Sequence, residues 1–312
     1  MNDNKPEVAL IDLFEMWKAI WVSKYYIIAF TFFISVLSVI YAVSLPNKYK
    51  AEILLAHANN GDASALSGMA SQLGGIASLA GINIGGESNE GLINLEILQS
   101  KMFLFEFINK HKLRVPLIAA VGWDKKSNQL ILDESKYDTQ SKEWIRVVDD
   151  ATKVIPSDFE AYEAFMALIK VVEDKSSGLI SISLEFFDPN LAKTWVTLLV
   201  DDLNYRMKIL EIHEKNKSIE FLTQQLDKTN VVEMQNVFYQ LIEEQTKSML
   251  LAEVQKDFVF KVIDDAIIPE KKSSPKRAVI CILGTMVGAI FSIFVALLIF
   301  YIKKFQADAN NS

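Results

Sequence analysis

Cysteine is almost absent, and Cys281 stands alone, so no intrachain disulfide can form and an oxidising or a reducing compartment suits the chain equally. The three histidines, His57, His111 and His213, lie far apart, with no Cys or His pair at ligand spacing, which argues against a metal site. Neither G-x-S-x-G nor G-x-x-x-x-G-K-[ST] occurs, so there is no hydrolase elbow and no P-loop to hold a nucleotide, and no cofactor is expected. Clustered cations are scarce as well: 32 Lys+Arg oppose 39 Asp+Glu, and this acidic balance excludes nucleic acid as an expected partner. Seven prolines and twelve glycines in 312 residues are too few for a disordered chain that is 51% apolar.

Charge is also missing from two long runs, Tyr25–Leu45 and Ala278–Ile302. At about 1.5 Å per residue, each can cross a hydrocarbon core of about 30 Å as a helix. They predict a two-span protein whose substantial folded part is the 232-residue stretch Pro46–Arg277. That stretch carries 27 Lys+Arg and 34 Asp+Glu, hence all of the net charge of −7. The first run is longer than the roughly 7–15 residues of a cleaved signal core. Four acids, Asp3, Glu7, Asp12 and Glu15, precede it, so it reads as a retained span despite the small residues Ala42-Val43-Ser44. Lysines flank both sides of each run, and long loops translocate largely regardless of charge, so charge alone leaves the topology open.

Periodicity divides the rest. Leu10, Leu13, Phe14, Trp17 and Trp21 form one stripe, as in a helix lying at the membrane interface or in an extension of the first span. Tyr49–His57 predicts a strand, and Gly61–Gly91 holds eight glycines, as in a mobile loop or a segment that packs against a neighbour or an apolar ligand. Helical spacing returns over Leu92–Leu113. Ser157 and Glu160 form a capping-box pair for a helix to about Leu168, followed by a hairpin of Ile169–Glu173 and Leu179–Phe187 around Ser176-Ser177-Gly178. Asp188-Pro189 opens a helix that meets no proline or glycine before about Asp227. Asn230 and Glu233 suggest a second capping box for a helix to Gln255, and Phe258–Ile268 predicts a returning strand. The fold class is therefore α+β: two transmembrane helices flanking an α+β base with a long extended helical arm.

The domains follow as 1–24 (tail with interfacial helix), 25–45 (first span), 46–188 with 258–270 (base), 189–257 (arm), 271–277 (Pro/Lys lead-in), 278–302 (second span) and 303–312 (tail). The lead-in combines chain-stiffening prolines with Lys271, Lys272, Lys276 and Arg277, cations placed at headgroup level. Inside the second span Gly284, Gly288, Ser292 and Ala296 recur once per turn, a small-residue face that lets another helix approach closely.

These features resemble the polysaccharide co-polymerases, the Wzz-type chain-length determinants, whose pattern there is P-x2-P-x4-S-P-K-x11-G-x3-G. Pro269, Ser274, Pro275, Lys276 and Gly288 match in register, whereas Ala266 replaces the first proline and Ser292 the last glycine. The glycine-rich Ile76–Ile82 (IASLAGI) is similar to a segment found in part of the family. The resemblance implies an inner bacterial membrane, cytoplasmic tails, a periplasmic loop and a ring-shaped homo-oligomer. It also implies partners in a polysaccharide polymerase, its lipid-linked polysaccharide and membrane lipid, with no catalysis and no kinase domain of the chain's own. The ring would use base and arm faces, aided by the small-residue face of the second span. The expected function is regulation of surface polysaccharide chain length, O-antigen or a related polymer. The alternatives are a membrane-anchored periplasmic enzyme acting on the polymer and an export adaptor. Adjacent carboxylates such as Asp201-Asp202 point about 100° apart on a helix and do not converge for acid–base work. Asp201, Asp202 and Glu211 are instead expected to meet cations of a neighbouring subunit, or the polymer.

Overall fold

The computed structural model describes residues 17, 20–58, 87–147 and 154–310. Most of the expected interfacial helix and most of the glycine-rich stretch, residues 59–86, lie outside the described residues. Two compact units result, one of Met1–Asn47 with Ser273–Ser312 and one of Lys48–Lys272.

The first unit holds α1 (Lys24–Ser44) and α8 (Arg277–Asn310), of which Lys24–Ser44 and Arg277–Ile302 are long and apolar enough to cross a membrane. In the second unit the order is β1 (Tyr49–His57), α2 (Glu87–Gln99), α3 (Lys101–Lys110), α4 (Arg114–Ala119), β2 (Ala120–Asp124), β3 (Gln129–Leu132), β4 (Tyr137–Asp138) and β5 (Glu143–Trp144). Then come α5 (Asp158–Met166), β6 (Ile169–Asp174), β7 (Leu179–Phe186), α6 (Pro189–Leu226), α7 (Val232–Val254) and β8 (Phe260–Asp264).

Four strands form an antiparallel sheet in the order β6-β7-β1-β8. Alternation fixes its register: Ala51, Ile53 and Leu55 of β1 face Leu184, Ile182 and Ile180 of β7, and all six are buried. A slip by one residue would put Lys50 and Glu52 in the core instead. The apolar stripe of α6, which includes Ala192, Trp195, Val196, Leu199 and Leu203, packs against β1 and β7, with Trp195 and Phe186 rings 4.5 Å apart. On the other side of the core, Phe103, Phe107 and Ile108 of α3 meet Phe165 of α5, with the Phe107 and Phe165 rings edge to face at 5.5 Å.

The predicted capping box is present: Ser157 Oγ accepts from Glu160 N at 3.1 Å, and Glu160 Oε1 accepts from Ser157 N at 3.1 Å. Glu160 also accepts from both Nη atoms of Arg146, at 2.5 and 3.1 Å. Those Arg146 bonds, joined by the Ser157 amide, hold the Glu160 carboxyl down at about 2 against the burial that raises it. Asp188 caps α6 through Asn190 N at 2.8 Å, with Pro189 at the first helical position as predicted.

Three expectations need correction. The helix expected over Leu92–Leu113 is two helices, because Ser100 leaves helical geometry and its side chain caps α3 through Phe103 N at 3.3 Å. Asn230 is not the cap of α7: that position belongs to Val231, and the turn is held by Gln235 Nε2 donating to Thr229 O at 3.0 Å. The returning strand ends at Asp264 rather than Ile268, since its pairing with β1 stops at Leu54 and Ala266 turns into the core. Over 114–147, where the sequence assigns no element, α4 and two small hairpins form from strands too short to show a period.

Within its 38 residues, α6 changes role. Its buried positions stop at Asn204, so Pro189–Asn204 belongs to the core, and from Tyr205 onward the helix is at most half-buried, with Met207 and Ile212 still against the core and α7 alongside. Asn204 is the hinge of this change. Its Oδ1 accepts from Val259 N at 2.8 Å and Phe260 N at 2.9 Å, while Nδ2 donates to Phe260 O at 2.9 Å, all buried.

Asn204→Ala leaves three buried backbone groups unmatched and is expected to cost about 3 kcal/mol. The full chain in detergent should then melt roughly 10 °C lower, with amide exchange accelerated first in β8. A melting point within a degree of the natural chain would contradict this role. Glu160 gives a pH signature. Its folded value of about 2 lies below its ordinary 4.5, so its contribution is complete above pH 4.5 and is lost as pH falls toward 2. Allowing for a side chain 32% exposed, that contribution is about 1 kcal/mol. Glu160→Gln should flatten acid destabilisation across this window in denaturant titrations.

Candidate functional site

The spans carry the predicted small-residue face, and the structure shows what fills it. Gly284 lies so close to α1 that a Cβ there would meet Ser38 Cβ at 2.7 Å, and one on Gly288 would meet Ile34 Cγ2 at 2.8 Å. Glycine is thus required sterically at both positions. Ser292 is buried and shares a hydrogen bond with Thr31 Oγ1 at 3.1 Å, while Ala296, one turn further, is also buried. Thr285 Oγ1 donates to Ser35 Oγ at 3.1 Å, and Ser38 Oγ donates to Ile280 O at 3.1 Å. Thr31, Ser35 and Ser38 recur at four- and three-residue spacing, so the first span is not a plain apolar rod. Its hydroxyl stripe was legible in the sequence. The face expected to aid packing between subunits is occupied by α1 of the same chain, where hydroxyl pairs satisfied in hydrocarbon join the two helices.

The lead-in adds a cap. Arg277 Nη2 donates to Val43 O at 3.5 Å, Leu45 O at 3.3 Å and Asn47 Oδ1 at 3.2 Å. These carbonyls end α1, where unpaired oxygens and the negative end of the helix dipole favour a guanidinium. Sequence reading placed Arg277 among headgroup-level cations but could not identify it as the cap of the other span. Ser274 and Pro275 are half-buried and joined by a cis bond, and Lys276 is exposed with its carbonyl accepting from Val279 N at 2.9 Å to start α8. Pro269 is half-buried in the other unit, and Ala266, where the family pattern has proline, is 2% exposed in its core.

The acids expected to reach a neighbouring subunit find partners nearer home. Asp202 accepts from Lys110 Nζ at 2.7 Å and lies 2.8 Å from His111 Nε2, pinning the end of α3 to α6. Glu211 pairs with Lys215 one turn on, at 3.0 Å. Asp201 differs: partial burial pushes its carboxyl above the ordinary value, Lys256 opposes that, and Asp202, Asp257 and Asp265 reinforce it. Among the described residues no group of three His, Cys, Asp or Glu is placed to hold a metal ion.

Together these features define a two-span membrane protein whose spans are zipped by hydroxyls and capped by arginine, with an α+β unit and a long helical hairpin between them in sequence. The family model "Chain length determinant protein" (Wzz) matches residues 9–111, and "G-rich domain on putative tyrosine kinase" matches residues 222–299. The first third of the chain is thus similar to the Wzz chain-length determinants. Among solved structures it is similar to a "full-length bacterial polysaccharide co-polymerase", at 12% identity and a TM-score of 0.38 over 96% of this chain and 99% of that one. It is also similar to a fragment of the polysaccharide co-polymerase WzzB from Salmonella Typhimurium, at 11% identity and a TM-score of 0.30 over 73% of this chain and all of that one. No curated protein sequence matches it.

Replacing Ser35 and Thr285 by cysteine in a Cys281→Ser background should give rapid intrachain disulfide formation in membranes on mild oxidation. Adding Gly288→Leu, which drives side-chain carbon into Ile34, should slow that cross-link at least tenfold, corresponding to about 1.4 kcal/mol or more of lost pairing. Equal cross-linking with leucine present would show that the close approach is dispensable.

Proposed function

We propose that the chain sets the length of a lipid-linked surface polysaccharide as an oligomeric, non-enzymatic scaffold of the bacterial inner membrane. The match of residues 9–111 to the chain-length determinant family carries this reading. Both tails would be cytoplasmic and the α+β unit with its helical hairpin periplasmic, beside the polymerase and its growing chain. The geometry supports a scaffold. Spans bound by three hydroxyl contacts and an arginine cap fix the membrane unit, and α6, at 38 residues, extends about 57 Å. Apolar side chains exposed on that hairpin, including Phe221 at 60% and Tyr239 at 59%, suit contact with further copies or with the polymerase. The lead-in residues Pro269, Ser274, Pro275, Lys276 and Arg277 would set how the second span leaves the membrane, with Gly284, Gly288 and Ser292 holding it to the first. Asp201 is the remaining candidate for contact with polymer or a neighbouring copy.

Deleting the gene and resolving surface polysaccharide on a gel tests the proposal. Loss of modal clustering with polymer still made is the expected outcome, restored by the natural chain. An unchanged ladder would overturn it, and complete loss of polymer would favour an enzyme or an export component.

A further inference from the structure

Both covalent connections to the spans leave the α+β unit toward one end of its sheet. Tyr49 starts β1 four residues after Leu45, the C-cap of α1. Antiparallel to it, β8 runs from Phe260 beside His57 to Asp264 beside Leu54, and so heads for the same end before the lead-in. The start of α6 lies there too, because Phe186, two residues before the cap Asp188, pairs with Tyr49. So does the turn that joins β2 to β3. The Trp123 and Tyr49 rings meet edge to face at 5.7 Å, and Asn190 Nδ2 of α6 donates to Asn128 Oδ1 of the turn at 3.3 Å.

That turn holds two lysines outward. Asp124 accepts from Lys126 N at 2.9 Å and from Ser127 Oγ at 2.8 Å, Asn128 takes a left-handed φ of 53°, and Lys125 and Lys126 are exposed. Lys193 follows Asn190 by one helical turn on the same face of α6, whose first turn carries no acid. The carboxylates beside these cations are already committed, Asp124 to the turn and Asp188, 7% exposed, to the cap of α6. The β6–β7 turn is built alike: Asp174 accepts from Ser176 N at 3.0 Å and Ser177 Oγ at 2.8 Å, with Lys175 exposed. It sits at the opposite end of the sheet, past the pairing of Leu55 with Ile180.

We propose that Lys125, Lys126 and Lys193 bind the phosphates of anionic phospholipid headgroups in the leaflet beside the α+β unit. The two connections keep this end of the sheet near headgroups at all times, and flexible point charges suit a fluid layer of phosphates. The proposal needs only that α1 and α8 span a membrane, and it stands apart from any role in polysaccharide length.

Acylation of the full chain in nanodiscs by a neutral amine reagent, read lysine by lysine by mass spectrometry, tests this. All three lysines should react roughly fivefold slower in phosphatidylcholine discs carrying phosphatidylglycerol than in phosphatidylcholine alone, the shift expected of a lysine at an anionic surface. High salt should remove the difference, and Lys175 should react alike in both discs. In a Lys125→Gln/Lys126→Gln chain the slowing at Lys193 should largely disappear. Undiminished slowing there would reveal a general surface field instead of a binding site. Equal rates in the two discs, as shielding by a second copy would give, matching protection by free pyrophosphate in phosphatidylcholine discs, or the same slowing at Lys175 would each overturn the proposal.

Discussion

One buried amide organises the extramembrane unit. Asn204 sits where α6 ends its burial against the sheet, and it matches two amides and one carbonyl at the start of β8. A strand returning after α6 and α7 has more than fifty residues of loop-closure entropy against it, and it gains only a short pairing with β1. Three buried hydrogen bonds to a rigid helix supply a fixed docking point. Apolar packing alone, being non-directional, would hold the strand without setting its register. The place of β8 beside β1 at the edge of the sheet therefore depends on a polar residue inside an otherwise apolar stripe.

Both units also solve the problem of a helix C-terminus in the same way. In the helical hairpin, Lys208 of α6 donates to the carbonyl of Gln255, the residue that caps α7. In the membrane unit, Arg277 at the start of α8 donates to the carbonyls that end α1. Each antiparallel partner thus brings a cation to the negative end of its neighbour's dipole. In the membrane the gain is larger, because carbonyls left unpaired beside hydrocarbon have little water to turn to.

Much of this was legible along the chain. The spans, β1, the capped α5, the β6–β7 hairpin and the full extent of α6 follow from periodicity, caps and turn residues acting within a few positions. The short hairpins of 120–144 were not, because two to five residues cannot show a period. Asn230 misled for a related reason: an acceptor and a glutamate at capping-box spacing permit a cap, but Gln235 and Thr229 hold the turn instead. At the candidate site, the small residues of the second span suggested a face for close helix packing between subunits, and in the structure α1 of the same chain lies against Gly284 and Gly288. The hydroxyl stripe of Thr31, Ser35 and Ser38 was the signal that pointed to the first span.

The sequence by itself determined that two spans bracket an α+β unit with a long helix, since apolar run length and helix signals are local properties. Pro269, Ser274, Pro275, Lys276 and Gly288 were enough to suggest the family as well. Pairing was decided only by the tertiary structure. Gly284 and Gly288 meet α1 of their own chain, Arg277 caps the other span, Asp202 closes on Lys110 and His111, and Asn204 receives β8. Each of these contacts joins residues 50 or more positions apart, where spacing along the chain carries no geometric information and only the folded backbone brings donor to acceptor.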